Sequence, residues 1–341
     1  MKKVITFGEI MLRLAPNGYM RFLQEPSFEA TFGGAEANVA VALANFGDSV
    51  AFVSKVPDHA LGKAAISELK KYGVDTSFIS LGGNRLGVYY MEKGANQRPS
   101  ICIYDRAGSS FHESRSTDFD WDKIFEDADW FHFTGITPAL GDSLSDICLT
   151  ACKEAKKRNI KISCDLNYRA KLWTREEASV TMEKLCSYVD LLIANEEDAK
   201  DIFGIEAENT DVLSGNIDCA GYQFVAEELK KRFNFSMVAI TLRRSYSATV
   251  NDWSALVYDG NEFSYSRVYH IDYIVDRVGS GDSFGAGLIY ALRHGYDAEK
   301  AVEFAVASAV LKHSIEGDFN KVTLNEVESL VNGDHSGRVQ R

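Results

Sequence analysis

The sequence predicts an α/β protein: a central, mainly parallel sheet layered between helices, with a small separate β-sheet beside it. Three observations lead there. Apolar, β-rich runs alternate with helical patterns along most of the 341 residues, the rhythm of parallel strands joined by crossover helices. That rhythm breaks at 15–31 and again at 85–111, where Pro, Gly and β-rich runs replace helical periodicity. Polar residues also recur just past the ends of several predicted strands, and in a parallel sheet those ends share one edge. The expected division is a core of 1–14, 32–84 and 112–333, a β lid of 15–31 and 85–111, and a polar, frayed tail over 334–341.

Taken in order, Val4–Leu14 reads as a first buried strand. Ala15–Thr31, with Pro16, Gly18 and Pro26, has no helical period and reads as an excursion of short strands. Phe32–Gly47 turns on two glycines and becomes a small-residue helix. Ser49–Val56 is a strand, and Leu61–Tyr72 an amphipathic helix stopped by Gly73. Leu86–Glu92 and Ser100–Tyr104 are β-rich runs joined by KGANQRP, a hairpin pattern. With the 15–31 excursion they form one small sheet, placed to cover the carboxyl edge of the large one. Alternation then resumes, with strands over Trp130–Thr134, Ile160–Leu166, Asp190–Ala194 and Met237–Leu242. The helices between them cover Ser143–Arg158, Glu176–Tyr188 and Tyr222–Phe233. Strand-like runs at Ser254–Tyr258 and Glu262–Tyr269 precede helices over Gly281–His294, Ala298–His313 and Leu324–Val331.

Composition narrows the function classes. The formal net charge of −12 argues against a nucleic-acid or anionic-membrane partner, although local arginines can still hold a small anion. No apolar run approaches the ~18 residues that span a bilayer. In MKKVITFGEIMLR, Glu9 and Arg13 interrupt what otherwise looks like a signal peptide. Six cysteines (Cys102, Cys148, Cys152, Cys164, Cys186 and Cys219) lack CxxC spacing and sit in apolar segments. They read as buried, reduced thiols of a cytoplasmic protein. His132 reads as a core residue, and His313 as a helix end where a partly positive ring suits the dipole. The acids from Asp118 to Asp129 read as a solvated loop and helix start.

The most informative stretch is Asp276–Leu288, DRVGSGDSFGAGL, which follows an apolar run and opens a helix. Gly279, Ser280 and Gly281 allow a tight turn with free amides, and a helix N-terminus favours an anion. Asp282 stands in the first turn, where a carboxylate can take a proton from a hydroxyl. A phosphate cradle beside a base suits phosphoryl transfer. A plain capped helix start with small residues for close packing suits the turn alone equally well. Acids, amides or arginines also follow other strand ends: Gly8–Glu9, Asp165–Arg169, Asn195–Asp198 and Arg243–Arg244.

Several motifs resemble the PfkB, or ribokinase-like, carbohydrate kinases over nearly the whole chain. FGGAEANVAVALANFG (32–47) is similar to the N-terminal glycine-rich signature, VGSGDSFGAGLIYAL (278–292) to the C-terminal GxGD signature, and NEED (195–198) to the NxxE motif. Within the family the resemblance leans to the sugar-acid kinases acting on 2-keto-3-deoxygluconate. It is carried by Gly33-Gly34-Ala35-Glu36-Ala37-Asn38, Gly87-Val88-Tyr89, Tyr104-Asp105-Arg106-Ala107-Gly108-Ser109, Asp165-Leu166-Asn167-Tyr168-Arg169 and KHSIEGDFN (312–320). The resemblance implies a three-layer ribokinase-like sandwich with a β lid, and ATP and Mg²⁺ as the phosphoryl donor and metal. It implies Asp282 as catalytic base and Gly279–Gly281 as anion hole. Gly34, Asn38, Tyr89, Tyr104, Arg106, Arg169 and Asp318 are implied to contact the sugar acid. Asn167, Asn195, Thr241, Arg243 and Ser245 are implied to hold the nucleotide together with Gly279 and Gly281, and Asn195 and Asp198 the metal through water. It further implies a homodimer formed through the lid, for which Phe22, Leu23, Phe28 and Phe32 offer an apolar face; the same side chains suit covering the chain's own sugar site.

The departures from the family pattern cluster near the nucleotide. Arg277-Val278 stands where Thr-Thr is common, Arg243-Arg244 replaces a glycine-bearing turn, Asp198 replaces Glu, and Pro57 replaces a glycine before Gly62. Arginines beside a triphosphate are physically sensible, and Arg277 and Arg243 suit core salt bridges equally well. A dinucleotide-dependent dehydrogenase would need GxGxxG after the first strand, which is absent. A non-catalytic sugar sensor would not need Asp282.

Overall fold

The computed structural model describes residues 2–24, 27–206, 219–334 and 337. Pro26, the side chain of Cys219 and all of the expected polar tail except Asp334 and Gly337 therefore lie outside the described residues. The strands are β1 (Lys3–Phe7), β2 (Met11–Ala15), β3 (Glu29–Gly33), β4 (Val50–Val56), β5 (Ile79–Leu81), β6 (Val88–Glu92) and β7 (Ile101–Asp105), followed by β8 (Ala128–Thr134), β9 (Lys161–Asp165), β10 (Leu191–Ala194), β11 (Met237–Ser245), β12 (Asn251–Tyr258), β13 (Phe263–Tyr265) and β14 (Tyr269–Ile271). The helices are α1 (Ala35–Asn45), α2 (Ala60–Lys71), α3 (Trp121–Ile124), α4 (Asp142–Lys157), α5 (Arg175–Cys186), α6 (Glu196–Phe203), α7 (Cys219–Phe233), α8 (Ser280–Arg293), α9 (Ala298–Lys312) and α10 (Leu324–Val331).

The large sheet runs β13-β12-β11-β10-β9-β8-β1-β4-β5, with β14 also paired to β12. From β11 to β5 every pairing is parallel; β12, β13 and β14 extend the sheet in antiparallel fashion. Strand periodicity sends alternate side chains to two cores. Ile5, Phe7, Phe131 and Phe133 pack with α4, α5, α6 and α7. Val4, Val50, Phe52 and Trp130 pack with α1, α2, α8, α9 and α10 on the other face. The result is the expected three-layer sandwich. Among the described residues no helix is long and apolar enough to cross a membrane.

The second sheet has the order β3-β2-β6-β7. Here the sequence reading needs correction. Val4–Leu14 is not one strand but two, β1 in the large sheet and β2 in the small one, separated by Gly8, Glu9 and Ile10. The small sheet thus begins at Met11 rather than at residue 15, and β2 pairs with β6 in parallel. The chain stays buried through the bend, Glu9 included, and the polar strand end at Gly8–Glu9 is where the chain changes sheet. Two further corrections concern the far end. β11 runs on to Ser245, carrying Arg243 and Arg244 inside a hairpin ladder with β12. The single run expected over Glu262–Tyr269 is two short strands, β13 and β14.

Candidate active site

The carboxyl ends of the parallel strands, the start of α8 and the inner face of the small sheet enclose one cavity of about 620 Å³. Met11, Tyr89, Met91, Cys102 and Tyr104 line it from the lid; Asp165, Asn167, Arg169, Ala194, Asn195, Asp198, Thr241, Arg243 and Ser245 line it from the sheet edge. Gly34 and Asn38 come from the start of α1, and Gly279, Ser280, Gly281 and Asp282 from the start of α8. Together with Arg106 and Asp318, every residue that the resemblance assigns to catalysis, sugar, nucleotide or metal lines this one space.

Two glycines make the close approaches possible. Gly279 caps α8 at φ +82°, and a Cβ there would lie 2.2 Å from the Asp318 carbonyl oxygen. A Cβ on Gly34 would lie 2.0 Å from the Glu9 carbonyl oxygen. Gly281, by contrast, has open space where a Cβ would stand, so the first turn of α8 faces the cavity without obstruction. First-turn amides have no carbonyl partner within the helix and point along its axis; here the Ser280 amide also reaches the Arg277 carbonyl oxygen at 3.3 Å.

Asp282 is held by Asn38, whose Nδ2 donates to Oδ2 at 2.6 Å. Asn38 in turn accepts from the Gly34 amide at 3.3 Å. Burial pushes the Asp282 carboxyl up to about 7; the Asn38 hydrogen bond works the other way, and the negative charges of Asp318 and Glu36 add to the rise. A carboxylate titrating near neutrality is suited to take a proton.

A buried ion cluster fixes the lid to this loop. Alternation on β2 turns Met11, Arg13 and Ala15 inward. Arg13 is 1% exposed and donates to Asp276 Oδ2 at 2.5 Å and to Asp318 Oδ1 at 2.7 Å. Burial disfavours its charge, but the two carboxylates outweigh that and hold its pKa above the ordinary arginine value. Tyr89 on β6 donates its hydroxyl to both Asp318 oxygens, at 2.5 and 2.6 Å. Val278 packs against the lid cluster of Met11, Ala15, Tyr89 and Met91. Lys312 is fully buried behind the loop and donates to the backbone oxygens of Ile315 at 3.0 Å and Asp276 at 3.4 Å.

Several expectations change in detail. The fork of Arg106 does not stand open: its Nε and Nη2 donate to Glu9 Oε2 at 2.8 and 2.5 Å, and Ser109 donates to Glu9 Oε1 at 2.5 Å. A nearly buried guanidinium needs a carboxylate, and Glu9 supplies it. The Tyr89 hydroxyl and Asp318 likewise satisfy each other and Arg13. Arg169 remains exposed and, among the described residues, donates only to the neighbouring Tyr168 carbonyl. Asn195 and Asp198 form a capping box at the start of α6, with Asp198 N donating to Asn195 Oδ1 at 2.8 Å and Asn195 N to Asp198 Oδ2 at 3.4 Å. His313 is not a charged cap. Burial holds it down to about 4, and its Nδ1 bonds the Ala309 carbonyl oxygen at 2.7 Å. His132 is a core residue as read, paired with Ser163 at 2.9 Å.

Sequence reasoning gave no role to Arg13 or Glu36. Glu36 is buried on α1 and its Oε1 accepts from Thr134 and Thr137. The clue for Arg13 was an arginine in phase with inward apolar residues of a strand.

The electrostatics divide the cavity. Asp165 is pushed well up by burial and by the charges of Asp198 and Asp282. Asp198 is pushed up to about 6, chiefly by burial. This gathering of carboxylates is chemically suited to a hydrated divalent cation. Among the described residues no three His, Cys, Asp or Glu side chains form a direct ligand set, so such an ion would be held largely through its waters.

The sandwich, the lid and the acid at a helix N-terminus define a sugar-kinase type of site, and the comparisons agree. The pfkB family carbohydrate kinase profile matches residues 1–321, and the chain belongs to that family. The 2-dehydro-3-deoxygluconokinase of Thermotoga maritima is 50% identical in sequence; its crystal structure covers 98% of this chain and 100% of its own, with a TM-score of 0.94. The 2-dehydro-3-deoxygalactonokinase of Haloferax volcanii is 33% identical over 335 residues, covering 98% of each chain. The 2-dehydro-3-deoxygluconokinase of Bacillus subtilis is 28% identical, covering 94% of this chain and 93% of its own.

Proposed function

We propose that this chain transfers the terminal phosphoryl group of ATP to the C6 hydroxyl of 2-keto-3-deoxygluconate (2-dehydro-3-deoxygluconate). The observation that carries the reading is Asp282, bonded to Asn38 and titrating near neutrality at the glycine turn of α8. The identities of the relatives in Thermotoga and Bacillus support the substrate class.

Asp282 Oδ accepts the hydroxyl proton as the sugar oxygen bonds to the γ-phosphorus, and the bond from that phosphorus to the bridging oxygen breaks to release ADP. Asn38 holds the carboxylate in position. The first-turn amides from Gly279 to Gly281 stabilise charge on the moving phosphoryl group. Asn195 and Asp198 would hold a Mg²⁺ ion through its waters, and that ion would supply neutralisation of phosphate charge. The exposed guanidinium of Arg169 takes the sugar carboxylate, while Arg106 orients Glu9 and the lid edge that carries Tyr104.

A coupled ADP-release assay over sugar acids and neutral sugars tests the reading. The expected result is turnover on 2-keto-3-deoxygluconate well above fructose or ribose; preference for a neutral sugar sinks it. The Haloferax relative supports the C4 epimer, 2-dehydro-3-deoxygalactonate, as a second substrate, so both epimers belong in the panel. Arg169→Ala is expected to raise KM for the acid about 10- to 100-fold, the range of a charged hydrogen bond, with little change for a neutral sugar. Equal effects on both would remove the carboxylate role.

The lid supports a dimer. Leu23 is 97% and Ile103 51% exposed, with Phe28 and Ile101 partly so, while Phe22 and Phe32 are half-buried. A second copy packing lid to lid would cover this outer face. Light scattering should give twice the chain mass, falling to one chain in a Leu23→Asp, Ile103→Asp variant; an unchanged mass in that variant excludes this interface.

A further inference from the structure

Arg277 lies two residues before the glycine turn and lines the cavity. Its Nε and Nη2 are buried, and neither has a hydrogen-bond partner. Arg243 lines the same end from β11 and is exposed to the cavity. Among the described residues neither arginine makes a salt bridge, so the core ion pairs that the sequence equally allowed are not formed. The other inward arginine, Arg13, shows the contrast: it is buried with two carboxylates. Burial lowers the pKa of Arg277, and the like charge of Arg243 lowers it further.

Two guanidinium groups that repel each other, one with buried unsatisfied donors, are an unfavourable arrangement on their own. Leaving a buried charged donor unpaired costs more than a typical hydrogen bond returns. Side-chain carboxylates would relieve the strain, yet among the described residues none makes a salt bridge to either arginine. Asp276, next to Arg277 in the chain, serves Arg13, the Val278 amide and the Gly317 amide. Asp198 accepts from the Asn195 and Tyr168 amides. What fits is a ligand with several negative oxygens, long enough to reach both arginines and the open face of Gly281. Guanidinium forks match phosphate oxygens in pairs.

We propose that Arg277 and Arg243 form a two-arginine clamp for the polyphosphate chain of the nucleotide, with Arg277 next to the β- and γ-phosphates. This rests on the phosphoryl-transfer reading of the site and adds to it Arg277, which the family pattern does not supply, since threonine is common there. The clamp makes the bare site electrostatically strained and the loaded site neutral. It therefore selects for nucleotides by their phosphate charge, separately from any contact to the base.

Calorimetric titration without sugar, using ATP with Mg²⁺ and, in parallel, adenosine, tests this. Arg277→Ala is expected to weaken ATP binding about 10- to 100-fold and leave adenosine binding within about twofold. Arg277→Lys is expected to recover part of the loss, since it restores charge without the fork. Arg243→Ala should show the same selectivity to a smaller degree, being the more exposed. In turnover, KM for ATP should rise while KM for the sugar acid stays constant. ATP affinity unchanged in Arg277→Ala overturns the clamp. Parallel losses of ATP and adenosine affinity also overturn it, because they mark a scaffold role. A wild-type protein that binds ATP through these arginines but phosphorylates no sugar acid refutes the substrate reading and leaves the clamp standing.

Discussion

Asp282→Asn is expected to lower kcat by about 10²–10⁴-fold, the usual contribution of a positioned general base, without loss of fold. The side chain is nearly isosteric, and its Oδ1 can still accept from Asn38 Nδ2, which lies 2.6 Å from the present oxygen. Steady-state kinetics beside circular dichroism checks this; a folded variant with near wild-type turnover removes Asp282 from the role of base. The same group sets the acid limb of the wild-type profile. With the carboxyl pushed up to about 7 by burial, kcat/KM should fall about tenfold per unit below that pH as the base becomes protonated. The stability effect has the opposite sense. The folded pKa lies above the unfolded value of about 3.9, so the folded state binds the extra proton between those values and stability declines as pH rises through them. The Asn variant lacks this decline. It should therefore melt above the wild type at pH 8, with the gap narrowing toward pH 5.

Arg13→Met is expected to be the most destabilising single change. Arg13 is buried between Asp276 and Asp318, and its removal leaves two buried carboxylates without their shared cation. Breaking a buried pair in this way costs about 3–5 kcal/mol. The deficit should shrink as pH falls, because protonation relieves uncompensated carboxylates. Adding Asp318→Asn should recover part of it, since a neutral cluster is tolerated where a half-broken one is not. Chemical denaturation of the three proteins at two pH values is the measurement. An Arg13→Met loss below about 1 kcal/mol would show that the cluster contributes little net stability. Activity should fall as well, because Asp276 anchors the amide of Val278 at the entry to the glycine turn.

Much of this was legible in the sequence because it is periodic or local. The strand and helix rhythm reads out directly. The GSGD turn, the GGAEAN turn and the strand-end acids lie within short windows. What was missed is neither. The move of the chain from β1 to β2 happens across Gly8–Glu9, where burial on both sides lets two short strands read as one. Arg13 finds Asp276 and Asp318 at separations of 263 and 305 residues, and nothing in a single sequence encodes such a pairing. The occupation of Arg106 by Glu9 is hidden for the same reason. The start of α6 is more accessible: an Asn followed three residues later by Asp is a capping-box pattern, although the sequence reading takes it as a strand end and as the NxxE-like motif without drawing the helix start.

The lid is attached unevenly, and this bears on how the sugar gets in and out. Its two middle strands are pinned, β2 through Arg13 and β6 through Tyr89, and the turn beyond β6 is tied by Lys93 to Glu316 and by Asn96 O to the Ala248 amide. β7 is an edge strand whose residues are mostly exposed. Tyr104 on that strand stacks on the pinned Tyr89, and the adjoining Arg106 is bonded to Glu9. The ties gather on the face of the lid toward the catalytic loop, so an opening movement of the whole lid must break the buried ion pairs that also position that loop.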